Sequence, residues 1–209
     1  MTARMDPGTA HEEALYAGGA SIVAGIDEVG RGAWAGPLSV GVVALTRDAL
    51  GRLPGGVRDS KMLSPLARSK VFEPLRAAVS SYGIGHASAE ECDALGMTAA
   101  QLLATDRAFA VLGIEPDAVI VDGKFDFTRR SDTVTIVGAD RLCLVVAAAS
   151  VLAKVTRDEM MVAQAPQYPH YHFERNKGYP SPDHRAALSR FGLSGIHRRS
   201  WSFAAALAQ

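Results

Sequence analysis

The chain has 209 residues, of which 48% are hydrophobic and 21% are charged, and its 22 basic residues balance its 22 acidic ones. This is the composition of an ordinary globular protein with one principal core, large enough to be stable without a disulfide or a structural metal. Its two cysteines, Cys92 and Cys143, stand apart from any CxxC or Cys/His cluster, so we expect reduced thiols rather than a zinc finger or a disulfide scaffold.

Hydrophobic segments of the chain are too short for a membrane protein. The longest uncharged apolar run, residues 142–153, has 12 residues, whereas about 20 are needed to cross a bilayer. It predicts a buried helix. An apolar stretch at 20–26 runs directly into Asp27 and Glu28, which is not typical of a signal peptide. We therefore expect a cytoplasmic protein that makes no membrane contact.

The predicted elements alternate along the chain. Residues 1–20 show no sustained periodicity and are predicted to be a flexible leader. The β-branched or apolar segments predict strands at 21–29, 37–45, 82–89, 118–121 and 134–137. The helical patterns predict helices at 64–79, 98–112, 144–162 and 183–191, with a loop at 166–181.

Two details of this pattern define the fold class. The first three strands suggest a meander, and the short apolar runs at 118–121 and 134–137 are typical of strands buried on both faces of a sheet. The order therefore predicts an α/β protein with a mixed sheet flanked by helices. We divide it into a leader (1–20), a core (21–162) and a basic helical C-terminal extension (163–209) packed on the core.

Basic residues are concentrated near the C-terminus. Residues 154–209 contain eight Lys or Arg and four Asp or Glu, which leaves 14 basic and 18 acidic residues in the remainder. An acidic body with a basic quarter is compatible with a polyanion lying across it. A solvated charged face would explain the same distribution.

Carboxylates follow the predicted strands. Asp27 and Glu28 come at the end of the first strand, Asp122 follows 118–121, and Asp140 follows the next apolar run. Buried carboxylates repel each other unless a cation neutralises them, and oxygen ligands favour Mg²⁺ or Mn²⁺. With no His or Cys beside them, the four acids indicate a two-metal phosphoryl-transfer site rather than a serine or thiol hydrolase. Taken alone, Asp140 is equally explained as a helix cap or turn residue.

Six ordered motifs identify a family. They are GIDEVGRG (25–32), DSK (59–61), VDG (121–123), AAASVLAKVTRD (147–158), NKGYPSPDH (176–184) and HRRSWSF (197–203). In type and order they resemble bacterial ribonuclease HII, of the type 2 ribonuclease H family. Ribonuclease HIII resembles the same core, but its motif lacks this GRG.

The resemblance implies a ribonuclease H-like mixed sheet with a helical C-terminal extension. It implies a metal-dependent endonuclease that hydrolyses RNA in RNA–DNA hybrids and cuts 5′ to single ribonucleotides embedded in duplex DNA, leaving 5′-phosphates, as ribonucleotide removal in DNA replication and repair requires. The implied cofactor is Mg²⁺ or Mn²⁺. The implied partners are the hybrid and the ribonucleotide-containing duplex, and we expect a monomer.

The resemblance also assigns site residues. Those matching the family's catalytic acids are Asp27, Glu28, Asp122 and Asp140, and the first three would hold metal. Those matching the substrate-binding residues at the RNA-to-DNA junction are Gly30, Arg31, Gly32 and Tyr179. Lys61 either contacts a phosphate or sits on a solvated loop.

Some residues have competing explanations. Gly138-Ala139 departs from the family pattern before Asp140, which makes Asp158 a competitor, although Asp158 lies four residues after Lys154 and an ion pair accounts for it. Two histidines without an acid or cysteine at ligand spacing are predicted to hydrogen-bond within the extension rather than bind metal: His184 and His197. Three aromatic residues are predicted to pack the loop rather than stack on bases: Tyr168, Tyr171 and Phe173.

Two other functions remain as alternatives at this point. A non-catalytic module that binds hybrids is disfavoured by the presence of every expected carboxylate. A small-molecule metal phosphohydrolase on a similar fold does not explain the basic C-terminal quarter or the pairing of GRG with Tyr179.

Overall fold

The computed structural model describes residues 6–206, so residues 1–5 of the predicted leader and 207–209 of the predicted extension lie outside the described part. One sheet is built from β1 (Ile22–Val29), β2 (Leu38–Thr46), β3 (Ser81–Ala87), β4 (Ala118–Asp122) and β5 (Thr133–Ile136). The strand order is β3-β2-β1-β4-β5.

Helices pack on both faces of this sheet and form the C-terminal extension. They are α1 (Ala10–Ala17), α2 (Arg47–Leu50), α3 (Pro65–Ala78), α4 (Ala89–Leu95), α5 (Met97–Leu112), α6 (Ala139–Leu142), α7 (Leu144–Gln164), α8 (Phe173–Asn176), α9 (Pro182–Phe191) and α10 (Ser202–Ala206). Short 3₁₀ turns occupy Ser60–Met62, Ala165–Gln167 and Pro169–Tyr171. None of the helices within 6–206 has the length and apolarity needed to span a membrane.

The sheet is mixed, as predicted. β1, β2 and β3 form an antiparallel meander, whereas β1, β4 and β5 run parallel to one another. β1 is joined to β4 through β2, β3 and the helices α2 to α5, whereas residues 123–132 connect β4 to β5 without a helix. The predicted α/β architecture is confirmed.

Alternating side chains of β1 supply two separate cores. Val23 faces α7 and α3, while Ala24 and Ile26 face α4 and α5. Gly25 faces α7 so closely that a Cβ there would lie 2.6 Å from the backbone of Val145. This close approach fixes α7 against β1, the strand that carries the first acidic pair.

Local signals place most helix ends correctly. The Ser64 hydroxyl accepts a hydrogen bond from the Ala67 N–H (3.2 Å), and Pro65 occupies the first helical position of α3. Gly113 ends α5 with a φ of 72° in the left-handed region. Cys92 and Cys143 are buried and neither is in a disulfide within residues 6–206.

Two predicted segments differ from the structure. Residues 134–137 were expected to form a strand buried on both faces, but β5 is the edge of the sheet and Val134 is 44% exposed. Residues 166–181 were expected to be a loop, yet two 3₁₀ turns and α8 lie within or next to it. These short turns contain Pro and His rather than an apolar repeat, so periodicity gives no signal for them.

The leader is also more ordered than expected over residues 10–17, where α1 forms. The Tyr16 hydroxyl donates to the Leu45 carbonyl (2.8 Å), and the buried carboxylate of Glu12 accepts from the Val145 N–H (2.9 Å). Both partners are remote in sequence, so no local pattern could indicate that α1 is anchored to the core.

Candidate active site

Four carboxylates lie close together at the end of the sheet where the parallel strands terminate. β1 and β4 are parallel and in register up to the residues just before Asp27 and Asp122, so these two acids lie side by side. Glu28 is the next residue of β1, and Asp140 stands on α6, shortly after β5. Because parallel strands end at the same edge, the fold collects acids that are distant in sequence.

Asp27 lies in the most unfavourable position for a charge. It is 4% exposed, and burial raises the pKa of its carboxyl to about 7, against the opposing hydrogen bond of the Ser150 hydroxyl. The carboxylates of Glu28 and Asp122 raise this pKa further. Added positive charge at this point would therefore stabilise the ionised form.

Glu28 and Asp140 are in a similar electrostatic environment. Burial raises the pKa of Glu28, with the Arg31 guanidinium opposing and the Asp122 carboxylate adding to the effect. Burial likewise raises the pKa of Asp140, and the carboxylates of Asp59 and Asp122 add to it. The four acids thus form one electrostatically coupled cluster, with Asp59 as an additional neighbour.

Hydrogen bonds hold the cluster in place. Asp122 Oδ1 accepts from the Ala139 N–H (2.7 Å), which ties the end of β4 to the start of α6. The Ser150 hydroxyl, which contacts Asp27, also lies 2.9 Å from the Ser60 hydroxyl. Sequence reasoning assigned Ser150 no role, although it is the one hydroxyl in the apolar run 142–153 and therefore carried a signal.

Lys61 lies among these acids. Its Nζ is 3.7 Å from Asp140 Oδ2, and its side chain is 70% exposed. Partial burial works against its charged form, but the carboxylates of Asp27, Asp140 and Asp59 outweigh this and raise its pKa. The Lys61 ammonium thus partly neutralises the cluster and remains accessible to solvent.

Asp140 joins the cluster and Asp158 does not. Asp158 accepts a hydrogen bond from Lys154 Nζ (2.6 Å) and lies 3.4 Å from the guanidinium of Arg68. The predicted ion pair with Lys154 is confirmed. These two cations, whose side chains are 15% and 12% exposed, account for Asp158 without a catalytic role. The cations beside Asp140, Lys61 at 3.7 Å and Arg141 at 3.8 Å, are 70% and 64% exposed, so solvent weakens their effect on its charge.

The donor chemistry of the cluster fits a hard divalent cation. Carboxylate oxygens are the ligands that Mg²⁺ and Mn²⁺ prefer, and burial combined with mutual repulsion favours a cation among them. Within the described residues, no three His, Cys, Asp or Glu side chains are already arranged at metal-ligand geometry. The acids therefore offer the right atoms, and their side chains would have to move to bring them onto an ion.

The GRG segment and Tyr179 meet next to this cluster. The Tyr179 hydroxyl accepts a hydrogen bond from the Gly30 N–H (3.1 Å), across 149 positions of sequence. Lys154 Nζ and the Arg157 guanidinium each lie 5.3 Å from the centre of the Tyr179 ring. The predicted juxtaposition of the GRG segment with Tyr179 is present.

Arg31 extends from the same segment. Its guanidinium donates to the side-chain carbonyl of Gln101, a residue of α5 that is 4% exposed. Sequence reasoning missed Gln101, although a lone amide on the alanine-rich buried face of α5 was a readable signal. Arg31 and Gln101 line a groove of about 610 Å³ with Glu28, Asp122 and the exposed Phe125.

The two histidines of the extension bind each other. His184 Nε2 lies 2.8 Å from His197 Nε2, and His184 Nδ1 lies 2.9 Å from the carbonyl oxygen of Tyr179. Because His197 Nδ1 accepts from the Ser194 N–H (2.9 Å), both rings are neutral, with His197 donating to His184 and His184 to Tyr179. The predicted hydrogen bonding within the extension is confirmed.

The loop aromatics pack in the protein interior. Tyr171 and Phe173 are 6% and 0% exposed, and their rings stack on each other at 5.5 Å. Tyr168 is partly buried against the same cluster. The prediction that these side chains pack the loop is confirmed.

Two arginines of the basic quarter are not available to a polyanion. Arg157 and Arg198 are both 0% exposed and are bound to backbone carbonyls. Counting charges along the sequence overestimated the basic surface of the extension, because it cannot distinguish a solvated guanidinium from one that ties backbone segments together.

Comparison with known proteins decides the family. The model of the family described as ribonuclease HII matches residues 24–204. The chain belongs to the ribonuclease HII family. A ribonuclease HII from Streptomyces avermitilis is 50% identical over 192 residues, which are 91% of this chain and 81% of that protein. One from Streptomyces coelicolor matches with the same identity and the same coverage.

A solved structure supports the fold as well. Ribonuclease H2 from Pyrococcus horikoshii superposes with a TM-score of 0.74 at 30% identity, covering 89% of this chain and 96% of that one. The predicted family, the ribonuclease H-like fold and the ribonuclease H class of enzyme are thereby confirmed. As a member of the ribonuclease HII family, the chain is an endonuclease that degrades RNA in RNA–DNA hybrids.

Proposed function

We propose that this member of the ribonuclease HII family is a metal-dependent endonuclease that also cuts 5′ to a single ribonucleotide embedded in duplex DNA, leaving a 3′-hydroxyl and a 5′-phosphate. The observation that carries the proposal is the position of the Gly30–Tyr179 contact immediately after the acidic pair of β1. A group that reads one ribose and a group that cuts the adjacent bond must lie within a nucleotide of each other.

The acidic cluster supplies the catalytic groups. Asp27, Glu28 and Asp122 would hold Mg²⁺ or Mn²⁺, and Asp140 is the fourth catalytic carboxylate. When bound, such ions supply Lewis acidity that generates the attacking hydroxide and stabilises the leaving oxygen. The raised pKa of Asp27 supports this assignment, since a buried acid of this kind is poorly ionised without a cation beside it.

The glycines of the GRG segment support close contact with a substrate strand. Gly30 has a φ of 85°, and a Cβ there would lie 2.2 Å from Arg157 Nε, so the protein's own packing requires this glycine. Gly32 is exposed, its φ lies outside the left-handed region, and no atom of residues 6–206 lies within 4 Å of the position of a Cβ. Since no internal contact requires a glycine at 32, close approach of an external molecule is the reason we assign to it.

The remaining substrate contacts follow from charge and position. Arg31 would meet a phosphate of the cut strand, and Lys61, with its exposed ammonium among the acids, would meet the scissile phosphate. Tyr179 would pack against the sugar at the RNA-to-DNA junction, where the 2′-hydroxyl is the one chemical difference between a ribose and a deoxyribose. We expect the protein to act as a monomer in the cytoplasm.

The test uses three labelled duplexes of one sequence: an RNA–DNA hybrid, duplex DNA with one ribonucleotide, and all-DNA. Each is incubated with the protein in Mg²⁺, in Mn²⁺ and in EDTA. We expect cutting of the first two substrates with either metal, no cutting in EDTA, and no cutting of all-DNA. End analysis should find a 5′-phosphate on the ribonucleotide.

Other outcomes would identify the error. Binding without cutting in either metal would support a non-catalytic hybrid-binding module instead. Cutting of the hybrid but not of the single-ribonucleotide duplex would refute the junction-reading part of the proposal, and undiminished cutting in EDTA would refute metal dependence.

A further inference from the structure

Arg198, from the HRRSWSF motif, is a buried cation bound to the GRG loop. Its side chain is 0% exposed. The guanidinium donates to the carbonyl oxygens of Gly30 (2.7 Å), Arg31 (3.0 Å) and Gly36 (3.2 Å). The segment between β1 and β2 is therefore gripped from inside the protein by a single side chain.

The Arg198 guanidinium binds these carbonyls without an ion pair. Among the residues that the structure describes, no carboxylate forms a salt bridge with Arg198, and its Nε has no hydrogen-bond partner. Arg157 lies nearby and is likewise buried without a salt bridge within the described residues, and its guanidinium, Nε included, donates to the carbonyls of Pro37 and Ala35. Burying a guanidinium without a counter-ion is costly, so its retention calls for a gain beyond packing.

Peptide geometry shows what this arrangement does to the loop. In a trans peptide the C=O and the following N–H point in opposite directions. Arg198 draws the carbonyls of Gly30 and Arg31 inward, so the N–H groups of Arg31 and Gly32 are directed away from it. Both of these residues are exposed, and neither N–H donates to an acceptor within residues 6–206.

We propose that Arg198 is a positioning residue that holds the two outward N–H groups of Arg31 and Gly32 as a binding site for a phosphate of the substrate strand. Successive amides aimed at one point form an anion-binding concavity. The buried positive charge behind them favours an anion over a neutral acceptor. This inference rests on the proposed function, because it takes the GRG segment to be a substrate contact.

The test compares Arg198→Lys and Arg198→Gln with the parent protein on the RNA–DNA hybrid at one fixed salt concentration. A lysine keeps the charge but lacks the planar guanidinium, whose two terminal nitrogens reach the three carbonyls from different positions, whereas a glutamine loses both the charge and this geometry. We expect both variants to raise KM about tenfold or more and to leave kcat within about threefold, since the acidic cluster is untouched. Thermal melting establishes that each variant is folded at the assay temperature.

Arg47→Gln is the matched control for loss of one positive charge. Arg47 follows β2 at the end of the sheet where Thr46 pairs with Ile22, the end remote from Glu28. The Arg47 side chain is exposed, and the KM of Arg47→Gln should stay within about twofold of the parent value. A KM of Arg198→Lys equal to that of the parent protein would show that the positive charge alone matters, and it would overturn the positioning role.

A second variant keeps the test independent of stability. Gly32→Ala adds a methyl group beside the two amides without a clash in the described part of the chain. Gly55→Ala is its control, since a Cβ at Gly55 would also have no described atom within 4 Å and its φ is not left-handed. Gly32→Ala should raise KM and Gly55→Ala should not. In the double variant Arg198→Lys/Gly32→Ala, the two effects should combine to less than their product, because both damage one site.

The outcomes separate the two levels of inference. If Gly32→Ala leaves KM unchanged, the substrate role of the GRG segment is wrong. If Gly32→Ala raises KM but Arg198→Lys does not, or if the two effects multiply, that role stands and the positioning role of Arg198 is wrong.

Discussion

Substitutions of Tyr179 best distinguish recognition of the RNA-to-DNA junction from general binding of the substrate. Tyr179→Phe keeps the ring, with its two cations at 5.3 Å, and removes the acceptor of the Gly30 N–H. Loss of one such hydrogen bond is worth about 1 kcal/mol, or about fivefold in kcat/KM. Tyr179→Ala also removes the ring, a further roughly 1–3 kcal/mol, or about 5- to 150-fold, if the ring packs on the junction sugar.

The substrate decides how these losses should appear. Duplex DNA with one ribonucleotide offers a single 2′-hydroxyl in a single register, so the full loss should be seen there. A continuous hybrid offers many registers, and the loss should be smaller. The assay compares kcat/KM for both substrates at one salt concentration, since phosphate contacts make affinities salt-dependent.

Tyr168→Phe is the matched control for removal of a phenolic hydroxyl. Tyr168 lies in the same extension, and within the described residues its hydroxyl takes part in no hydrogen bond. It should leave both substrates unaffected. An equal loss on both substrates for Tyr179→Ala would mean that this residue supports the fold or general binding, and the reasoning about the junction would be refuted.

Three further predictions concern the acidic cluster and the histidine pair. Asp122→Asn should abolish cleavage in Mg²⁺ and Mn²⁺ while circular dichroism and hybrid binding persist, because it removes a ligand charge and almost no volume; turnover near that of the parent would exclude it from the site. Asp140→Asn should cost far more activity than Asp158→Asn, and the reverse ranking in the same cleavage assay would show that the fourth carboxylate is wrongly assigned. Burial lowers the pKa of His197 to about 3 and also lowers that of His184, from ordinary values of 6.5. The free energy of unfolding should therefore be fully retained above pH 6.5 and fall as the pH drops towards 3, by about 2 kcal/mol at pH 5 for His197 alone. The check is the midpoint of denaturant unfolding as a function of pH. A midpoint that depends on pH as strongly in His197→Gln as in the parent would contradict this.

Much of the fold could be predicted because its signals are local. The strands at the sheet centre are apolar over most of their length, and α3 is marked by Ser64 and Pro65 at its start. The edge strand β5 was misjudged because its composition matches that of a central strand, and only the strand order shows that one side is open. The anchoring of α1 depends on contacts of Glu12 and Tyr16 with distant segments, which no window of sequence contains.

The candidate site shows the same division. Its acids were predictable because carboxylates after buried strands are unusual and need a reason. Their supporting residues were harder to recognise, since Ser150 and Gln101 are ordinary residue types whose importance comes from burial next to Asp27 and Arg31. A polar side chain in an otherwise apolar helical face is the signal that would have found them.

The GRG motif combines two different physical requirements in three residues. At position 30 a side chain would collide with Arg157 and the carbonyl of Pro37, so alanine there should destabilise the protein whatever substrate is present. At position 32 a Cβ would contact none of the residues that the structure describes, so alanine there should leave stability unchanged and act only when a nucleic acid is bound. Both positions are glycine in the sequence. Only the atoms around each Cα distinguish Gly30, which the fold requires, from Gly32, to which we assign contact with the substrate.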